Sequence, residues 1–524
     1  MDSWNDIENH TETDRMVDDM LDVAVVGAGF GGICTAKRLL DEGITNFLLF
    51  DRASEVGGTW QANTYPGAQC DIPAALYSFS FAQKSDWSRL YPLQPELLAY
   101  LREVCKNFGI EPHLRLGHEI LDMRWDETGR HWTLATSEGT WRARVVVGAF
   151  GPFSEPSTPN FAGLEDFEGT VLHSARWDHT QDWSGTRIGV IGTGASGVQI
   201  IPQAVRAGRS LTVFQRTPTW IFPHPDRPIP SALQTLFARI PATQRALRRT
   251  VDLLLESMVY GLVFRPALLK GMEAIAKAQL RRQIPDPELR AKLTPDYMFG
   301  CKRPTFSNAY FPAMADAKTD VITEPIRRIV PTGVETADGT VHELDVLVLA
   351  TGFTVSGHPF FSRVHDAGGR SLAESWEPTP LCYLGTAAAG FPNLFQILGP
   401  NAATYTSMVV VIEAQVDYII SALREMQAHG LTSLEVRGDA VERFVDEIDT
   451  TLSRSVWNVG GCASYYIDAT GRNIAWFPGF FRQFRARTRR IHLPDFVLGA
   501  GGDVAEDTSA DSYDSAETEE ASRP

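Results

Sequence analysis

The sequence lacks the features that mark several protein classes. Its six cysteines are scattered, and no two of them form a Cys-x-x-Cys pair. This spacing argues against a zinc site, a redox-active dithiol and the disulfide framework of a secreted protein. The polar N-terminus lacks the cationic start and apolar core of a signal peptide, and no later apolar run is long enough to span a bilayer. We therefore expect a cytoplasmic protein without a metal site.

Positive charge is also scarce. The chain has 48 Lys and Arg against 64 Asp and Glu, a formal net charge of −16. A phosphate backbone requires a cationic face, so nucleic acid is not an expected partner. Part of the negative charge lies in residues 501–524, which have little apolar surface. We expect a disordered acidic tail there and a flexible N-terminus over residues 1–20.

What the chain does contain is a strand–glycine–helix pattern, twice. The first is DVAVV followed by GAGFGG, and its second strand is FLLFDR. The pattern restarts with TRIGVIGTGASG and continues into SLTVFQR. These patterns predict an α/β fold with two Rossmann-like dinucleotide-binding domains. The predicted boundaries are a discontinuous first domain over 21–155 and 345–495, and a second domain over 156–344.

A long helical stretch interrupts the second domain between about residues 231 and 297. Its apolar and basic residues recur at helical spacing, which is compatible with an amphipathic helix lying on a membrane surface. A helical insertion buried in the protein explains the same pattern, and we favour it. No membrane contact is therefore expected.

The first glycine turn meets the requirements of a dinucleotide site. Gly27, Gly29 and Gly32 lie between strand and helix, and Asp51 closes the next strand. Glycines here permit the tight turn, the close approach of a pyrophosphate and close helix–strand packing, while the helix N-terminus adds positive potential. The Asp51 carboxylate can accept from ribose hydroxyls but would repel a 2′-phosphate. This site should bind FAD or NAD rather than NADP.

The second glycine turn is followed by a positive residue, where the first is followed by the negative Asp51. Its second strand ends at Arg216, and no acidic residue occupies the ribose position. A guanidinium can hold a 2′-phosphate in bidentate fashion, so this site favours NADPH, although Arg216 could also be an ordinary surface residue. Two such sites imply electron transfer from a pyridine nucleotide to a flavin. The residues expected to contact NADPH are Gly192, Thr193, Gly194, Ser196, Gly197, Arg216 and Thr217.

The reduced flavin could pass its electrons to a disulfide, to another protein or to dioxygen. The first route needs a Cys-x-x-Cys pair, which is absent. The segment FEGTVLHSARWD resembles the F-x-G-x-x-x-H-x-x-x-W-[PD] fingerprint of type I Baeyer–Villiger monooxygenases. Related flavin monooxygenases that oxygenate nitrogen or sulfur usually carry another aromatic residue at the Trp177 position, and they are the alternative. The matching residues are Phe167, Gly169, His173, Trp177 and Asp178.

Further segments extend this resemblance over about residues 20 to 490. They are GGTWQANTYPGAQCD at 57–71, GCKRPTFSNAYFPA at 300–313 and SVWNVGGCASYY at 455–466. The resemblance implies FAD, NADPH and dioxygen, and conversion of a ketone to an ester or lactone through a C4a-peroxyflavin. The additional residues that it places at the flavin are Gly58, Thr59, Trp60, Asp71 and Tyr77.

The resemblance also implies roles for single residues. A fixed cation should stabilise the negative charge of the oxygenating step, and Arg303 is our choice because a guanidinium stays charged. Asp71 would hold Arg303 in place; a purely structural ion pair is the alternative. Lys302 would reach the 2′-phosphate beside Arg216, unless it is a solvated surface lysine.

Two aromatic side chains and a histidine remain. His173 lies in a linker between the nucleotide domains, so a hinge role fits better than catalysis, with Trp177 as its packing partner. Trp457 falls in a segment that resembles a loop over the nicotinamide, although a buried core tryptophan is an alternative. The expected partners are a small ketone and dioxygen, and the chain could be a monomer or a homo-oligomer.

Overall fold

The computed structural model describes residues 20–500. The predicted acidic tail and the predicted flexible N-terminus, apart from Met20, lie outside these residues. The strands are β1 Leu21–Val26, β2 Phe47–Asp51, β3 Leu114–Leu116, β4 Ile120–Asp126, β5 His131–Thr136, β6 Gly139–Gly148, β7 Thr170–His173, β8 Arg187–Ile191, β9 Ser210–Phe214, β10 Ile221–Phe222, β11 Thr305–Phe306, β12 Thr319–Ile322, β13 Ile326–Val330, β14 Gly333–Thr336, β15 Val341–Glu343, β16 Val346–Leu349, β17 Val364–His365, β18 Leu394–Gln396, β19 Leu431–Val436 and β20 Phe496–Ala500. The α-helices are α1 Phe30–Asp41, α2 Thr59–Ala62, α3 Gln94–Asn107, α4 Ala195–Ala207, α5 Ser231–Arg239, α6 Pro241–Val259, α7 Lys270–Gln283, α8 Pro287–Lys292, α9 Tyr310–Met314, α10 Leu372–Ser375, α11 Met408–His429, α12 Gly438–Leu452, α13 Val456–Val459 and α14 Phe481–Arg487.

The first sheet is built around β1. Strand β1 is parallel to both β2 and β6, with Val23 opposite Phe47 on one side and Val145 on the other. These strands are runs of β-branched and apolar residues because helices and loops cover both faces of the sheet. Seven of its strands follow the order β17-β4-β5-β6-β1-β2-β3, and β18 pairs with β6. The carboxyl ends of β1 and β2 carry the first glycine turn and Asp51.

The second sheet has the order β12-β9-β8-β16-β7, and all its pairs are parallel. Two parallel Rossmann-like cores confirm the predicted fold class. One boundary is wrong: the sequence assigned residues from 345 onward to the first domain, but β16 pairs with β7 and β8 of the second sheet. A short apolar strand looks the same in either parallel sheet, so only its partners decide where it belongs.

The insertion is helical, as its periodicity predicts. Helices α5 to α8 cover it, with a π-helical turn over Tyr260–Phe264. Its burial differs from the expectation. Leu262 is fully buried, whereas Leu253 and Leu254 on α6 are 66% and 64% exposed. Within residues 20–500, no helix combines the length and the apolar character needed to cross a membrane.

Candidate active site

The first glycine turn forms a cradle of bare backbone. Gly27 has a φ of +109°, and a Cβ atom there would lie 2.3 Å from the carbonyl oxygen of Ala149. A Cβ on Gly32 would lie 1.8 Å from the carbonyl oxygen of Gly27. Side chains are thus excluded by contact between backbone segments, which leaves the first N–H groups of α1 free to meet a ligand. This geometry fits the pyrophosphate of FAD.

Asp51 is the last residue of β2 and lies beside this glycine turn. Its carboxylate accepts from the backbone N–H of Ala28 at 2.6 Å and of Ala53 at 2.8 Å. Burial raises the pKa of Asp51, while these two hydrogen bonds act in the opposite direction. Each carboxylate oxygen retains acceptor capacity, as a ribose contact requires.

A further glycine, Gly58, packs against this turn. A Cβ on Gly58 would lie 2.9 Å from the Cα atom of Gly29. Thr59 starts α2 and is exposed, and the Trp60 indole N–H donates to the Tyr77 hydroxyl at 3.2 Å. Gly58 therefore packs against the first turn, and the Tyr77 ring lies 5.2 Å from that of Phe30, which belongs to the same turn.

The second glycine turn repeats this construction. A Cβ on Gly192 would lie 2.5 Å from the carbonyl oxygen of Ala350, and one on Gly197 would lie 2.2 Å from that of Gly192. Gly194 instead faces open space, with nothing within 4 Å of its position. Thr193 is buried and donates its hydroxyl to the backbone carbonyl of Thr217 at 3.1 Å. Ser196 is half-buried on α4, and the Tyr65 hydroxyl donates to Gln199 Oε1 of the same helix at 2.8 Å, which links α4 to the first domain.

Two cations lie beside the second turn. Arg216 is exposed, and no ion pair joins it to another of the described residues. The pKa of Lys302 is lowered, first by burial and then by the nearby charge of Arg216, while the charge of Asp296 acts in the opposite direction. Like charges held this close together fit a dianionic 2′-phosphate. NADPH therefore fits this site.

Asp71 and Arg303 meet although 232 positions separate them. The Arg303 Nε donates to an Asp71 carboxylate oxygen at 2.8 Å. Burial alone would lower the pKa of Arg303, but the Asp71 carboxylate outweighs it and keeps the pKa above its usual value. About 30% of the Arg303 side chain is still accessible. This guanidinium is a fixed charge with donors left for a ligand.

Aromatic side chains surround Arg303. The guanidinium lies 5.8 Å from the centre of the Tyr405 ring, and burial raises the pKa of Tyr405 to about 12. Burial also raises the pKa of Tyr466, while the nearby charge of Arg303 acts in the opposite direction. Neither tyrosine was predicted from the sequence. Their only signals were the tyrosine in GPNAATYTS and the pair of tyrosines in GGCASYY.

Trp457 lies outside this aromatic shell. It is 2% exposed, and its ring stacks on Trp476 with the centres 4.5 Å apart. Of the two interpretations of Trp457, the structure favours the buried core residue over contact with a nicotinamide.

A disulfide joins the Arg303 segment to the 455–466 segment. Cys301 and Cys462 are bonded across 161 positions, with Cα atoms 6.1 Å apart. No disulfide framework was expected from the cysteine spacing, and this pair corrects that expectation. A single bridge between distant positions leaves no spacing pattern in the sequence. The remaining cysteines are buried and free, and they are Cys34, Cys70, Cys105 and Cys382.

The fingerprint divides into two halves. Phe167 is buried in the second core, and a Cβ on Gly169 would lie 2.4 Å from the carbonyl oxygen of Asp345. These two residues are needed for packing against the second sheet. Asp178 lies on the surface and accepts from the backbone N–H and hydroxyl of Thr180, which fixes a turn.

His173 ends strand β7 at the edge of the second sheet. Its Nδ1 accepts from the backbone N–H of Ala175 at 3.1 Å, so the proton lies on Nε2, 3.4 Å from the Thr351 hydroxyl. Burial lowers the pKa of His173, which keeps the ring neutral. Trp177 packs edge-on against Trp183. Among the described residues no ring contact joins Trp177 to His173, so the packing expected between them stays a prediction.

A cleft of about 570 Å³ lies where the fingerprint meets the segment after Asp51. Trp177 lines it, so the second half of the fingerprint reaches a ligand-sized space. Two arginines that the sequence analysis missed also line the cleft, and Arg52 could have been noticed because it directly follows Asp51. The lining includes Arg52, Gln61, Phe153, Arg176, Trp177 and Phe353.

Known proteins share these features. Residues 24–240 match the family model described as pyridine nucleotide-disulphide oxidoreductase. The chain is 43% identical to a Baeyer-Villiger monooxygenase of Streptomyces coelicolor, and the match covers 94% of this chain and 98% of that protein. An oxidized steroid monooxygenase bound to NADP has a TM-score of 0.82 at 31% identity, covering 92% of this chain and 100% of the other. OTEMO, solved in complex with FAD and NADP, has a TM-score of 0.80 at 26% identity, covering 91% and 99%.

Identity of this extent over nearly the full length agrees with the two glycine turns and with the fingerprint between them. It confirms the resemblance seen in the sequence and does not favour the alternative of nitrogen or sulfur oxygenation. The chain belongs to the Baeyer–Villiger monooxygenase family.

Proposed function

We propose that this protein is an NADPH-dependent flavin monooxygenase that converts a ketone to an ester or lactone and incorporates one atom of dioxygen. The observation that carries this proposal is the Asp71–Arg303 pair, with its Nε–oxygen distance of 2.8 Å. It places a permanent cation in a partly accessible, aromatic-lined site of a protein that also has two nucleotide turns. The chain also belongs to the Baeyer–Villiger monooxygenase family, which supports the same conclusion.

The two cofactor sites are assigned by their charge. Asp51 and the bare backbone around Gly27 would hold FAD, whereas Arg216 and Lys302 would hold the 2′-phosphate of NADPH. When bound, NADPH supplies a hydride to the flavin, and the reduced flavin supplies the electrons that activate dioxygen.

Arg303 is proposed to stabilise negative charge on oxygen during the transfer to the ketone. Because Asp71 binds Nε, the terminal nitrogens of the guanidinium remain available as donors. A charge held by an ion pair needs no reorganisation when the oxyanion develops, so its effect is largest in the transition state. Tyr405 and Tyr466 would limit the access of water to this cation.

His173 and Trp177 are proposed to couple the two nucleotide sites. His173 ends a strand of the second sheet, and Trp177 borders the cleft next to Arg52. Side chains at such a junction would sense domain movement without taking part in bond making. We further propose that the substrate is a small ketone and that the enzyme acts in the cytoplasm, where NADPH is supplied.

The test is isotope labelling. The flavoprotein is reduced anaerobically with NADPH, mixed with ¹⁸O₂, and supplied with cyclic, linear and aryl ketones. We expect an ester or lactone that carries one labelled oxygen from at least one ketone class. Labelled N-oxides or S-oxides from amines and sulfides, with no ester from any ketone, would contradict the proposal and favour the alternative chemistry.

A further inference from the structure

The helical insertion over residues 231–297 carries charge opposite to that of the rest of the chain. It contains eleven Lys and Arg against six Asp and Glu, in a protein with 48 and 64 overall. It also holds eight of the sixteen exposed large apolar side chains among the described residues. Cationic and apolar surface are therefore concentrated in the same element.

Helix α6 presents both kinds of side chain on one face. Arg245, Arg249 and Leu253 on α6 and Tyr260 directly after it are all exposed, and their successive spacings of four, four and seven residues align them along the helix. The exposed face continues into the next turns with Phe264, which is 39% exposed, and Leu268, which is 61% exposed.

The exposed carboxylates of the insertion, Asp286, Glu288 and Asp296, all follow residue 282. Between residues 241 and 282 the acidic residues are Asp252, Glu256 and Glu273, and none of them is exposed. Asp252 accepts from the Thr406 hydroxyl at 2.7 Å, Glu256 accepts from the backbone N–H of Arg482 at 3.3 Å, and Glu273 pairs with Lys277.

The exposed cations of this segment have no ion-pair partner among the described residues. We call these cations, together with the exposed apolar residues of the same segment, the basic–apolar face. Its cations are Arg245, Arg249, Arg265, Lys270, Arg281 and Arg282. Its large apolar residues are Leu253, Leu254, Tyr260, Phe264, Leu268 and Ile275.

We propose that the basic–apolar face binds the surface of an anionic membrane, with the insertion lying on the lipid and no segment crossing it. Exposed leucines and aromatics can enter the acyl boundary while arginines contact lipid phosphates. Because residues 241–282 contribute exposed cations but no exposed carboxylate, they suit a dense layer of anions better than a protein surface of mixed charge. A second copy docked through the α6 face by a two-fold axis would bring the exposed cations of both copies into one interface.

The inner side of the same helix reaches the candidate active site. Thr406, the partner of Asp252, follows Tyr405, whose ring lies 5.8 Å from the Arg303 guanidinium. Helix α6 therefore lies between the proposed lipid surface and Arg303. An apolar substrate dissolved in the lipid would meet the outer side of this helix. The membrane contact itself does not depend on the proposed chemistry.

The test is flotation of the full chain with vesicles at low salt. One set contains phosphatidylcholine alone, and the other contains equal parts of phosphatidylcholine and phosphatidylglycerol. We expect binding to the anionic set only, weakening as salt screens the charges. Replacing Arg245 and Arg249 together by Gln should reduce the affinity roughly thirtyfold, since one cation near an anionic surface is worth about a factor of five.

Matched variants distinguish binding through the basic–apolar face from nonspecific adsorption to vesicles. Leu253→Ser with Leu254→Ser should also reduce binding, whereas the exposed pair Val497→Ser with Leu498→Ser should not. Lys106→Gln with Arg206→Gln is the charge control. All four double variants should keep the parent's melting temperature and its NADPH oxidation in solution.

Three results would overturn the proposal. The first is no binding to anionic vesicles at low salt. The second is equal binding to both vesicle sets, or binding unaffected by the α6 variants. The third is a concentration-dependent dimer, seen by light scattering, that the Leu253 and Leu254 changes abolish; this would show that a second copy covers the face.

Discussion

Arg303 is the residue on which the proposed chemistry depends most. Arg303→Ala should reduce ester formation on the order of 10²–10³-fold or more, because a preorganised charge at the developing oxyanion is lost. Arg303→Lys should recover little, since an ammonium cannot reproduce the planar fork. Ester formation and hydrogen peroxide release are measured side by side, and the NADPH that is still oxidised should end as peroxide.

Two comparisons sharpen this test. Asp71→Ala should give a milder loss, because the guanidinium stays charged but is no longer anchored. Arg424→Ala breaks a surface pair with Glu42 and should leave ester formation unchanged. Near wild-type ester formation by Arg303→Ala would mean that the oxygenation site lies elsewhere.

Arg216 should set the choice of pyridine nucleotide. Arg216→Gln should reduce the preference for NADPH over NADH by about 1.5–3 kcal/mol, the usual contribution of a hydrogen bond to a charged group. The measurement is the rate of flavin reduction by each nucleotide under anaerobic conditions. Arg206→Gln, at the far end of α4, is the control, and an unchanged ratio in Arg216→Gln would exclude the assignment.

At the scale of an element, the fingerprint segment should separate into a packing half and a functional half. Gly169→Ala places a Cβ 2.4 Å from the Asp345 carbonyl oxygen, so we expect a loss of about 1–3 kcal/mol in the free energy of unfolding. Trp177→Phe and His173→Ala should instead slow turnover while FAD content stays full. The readouts are thermal unfolding, bound flavin and rapid-mixing traces of flavin reduction.

The contrast between these variants decides the interpretation. Loss of FAD from His173→Ala would make the whole segment structural. Normal stability of Gly169→Ala would show that the close backbone approach at β7 relaxes easily. Either result would contradict the division of the fingerprint segment into a packing half and a functional half.

At the scale of the whole molecule, the Cys301–Cys462 bond ties the Arg303 segment to a region 161 positions away. Thiol titration of the denatured protein should detect four thiols before reduction and six afterwards. Without denaturant few thiols should react, because burial raises the pKa of Cys34 and Cys70 well above the usual range.

Variants of this bond provide the control. Cys462→Ser should raise the count before reduction to five and should lower the free energy of unfolding by about 2–5 kcal/mol, as for a bridge that closes a long loop. Cys382→Ser should lower the count to three. Six thiols in the unreduced parent protein would show that the bond does not form.

The sequence by itself determined the parts that depend on neighbouring residues. The glycine turns could be predicted because φ of +109° at Gly27 and the contact of Gly32 with its carbonyl oxygen are local requirements of strand–turn–helix geometry. The roles of Asp51 and Arg216 could be predicted because each lies at a strand end, where the ribose of a bound dinucleotide must lie. Fold class and cofactor type are therefore readable along the chain.

Tertiary structure decided whatever depends on distant pairing. Asp71 reaches Arg303, and Cys301 reaches Cys462, only because folding brings remote segments together. The sheet that contains β16 is fixed by its hydrogen-bond partners, since its apolar run would suit either sheet. The exposed face of α6 was likewise undecided, because helical periodicity shows that a helix has two faces but not which one the core covers.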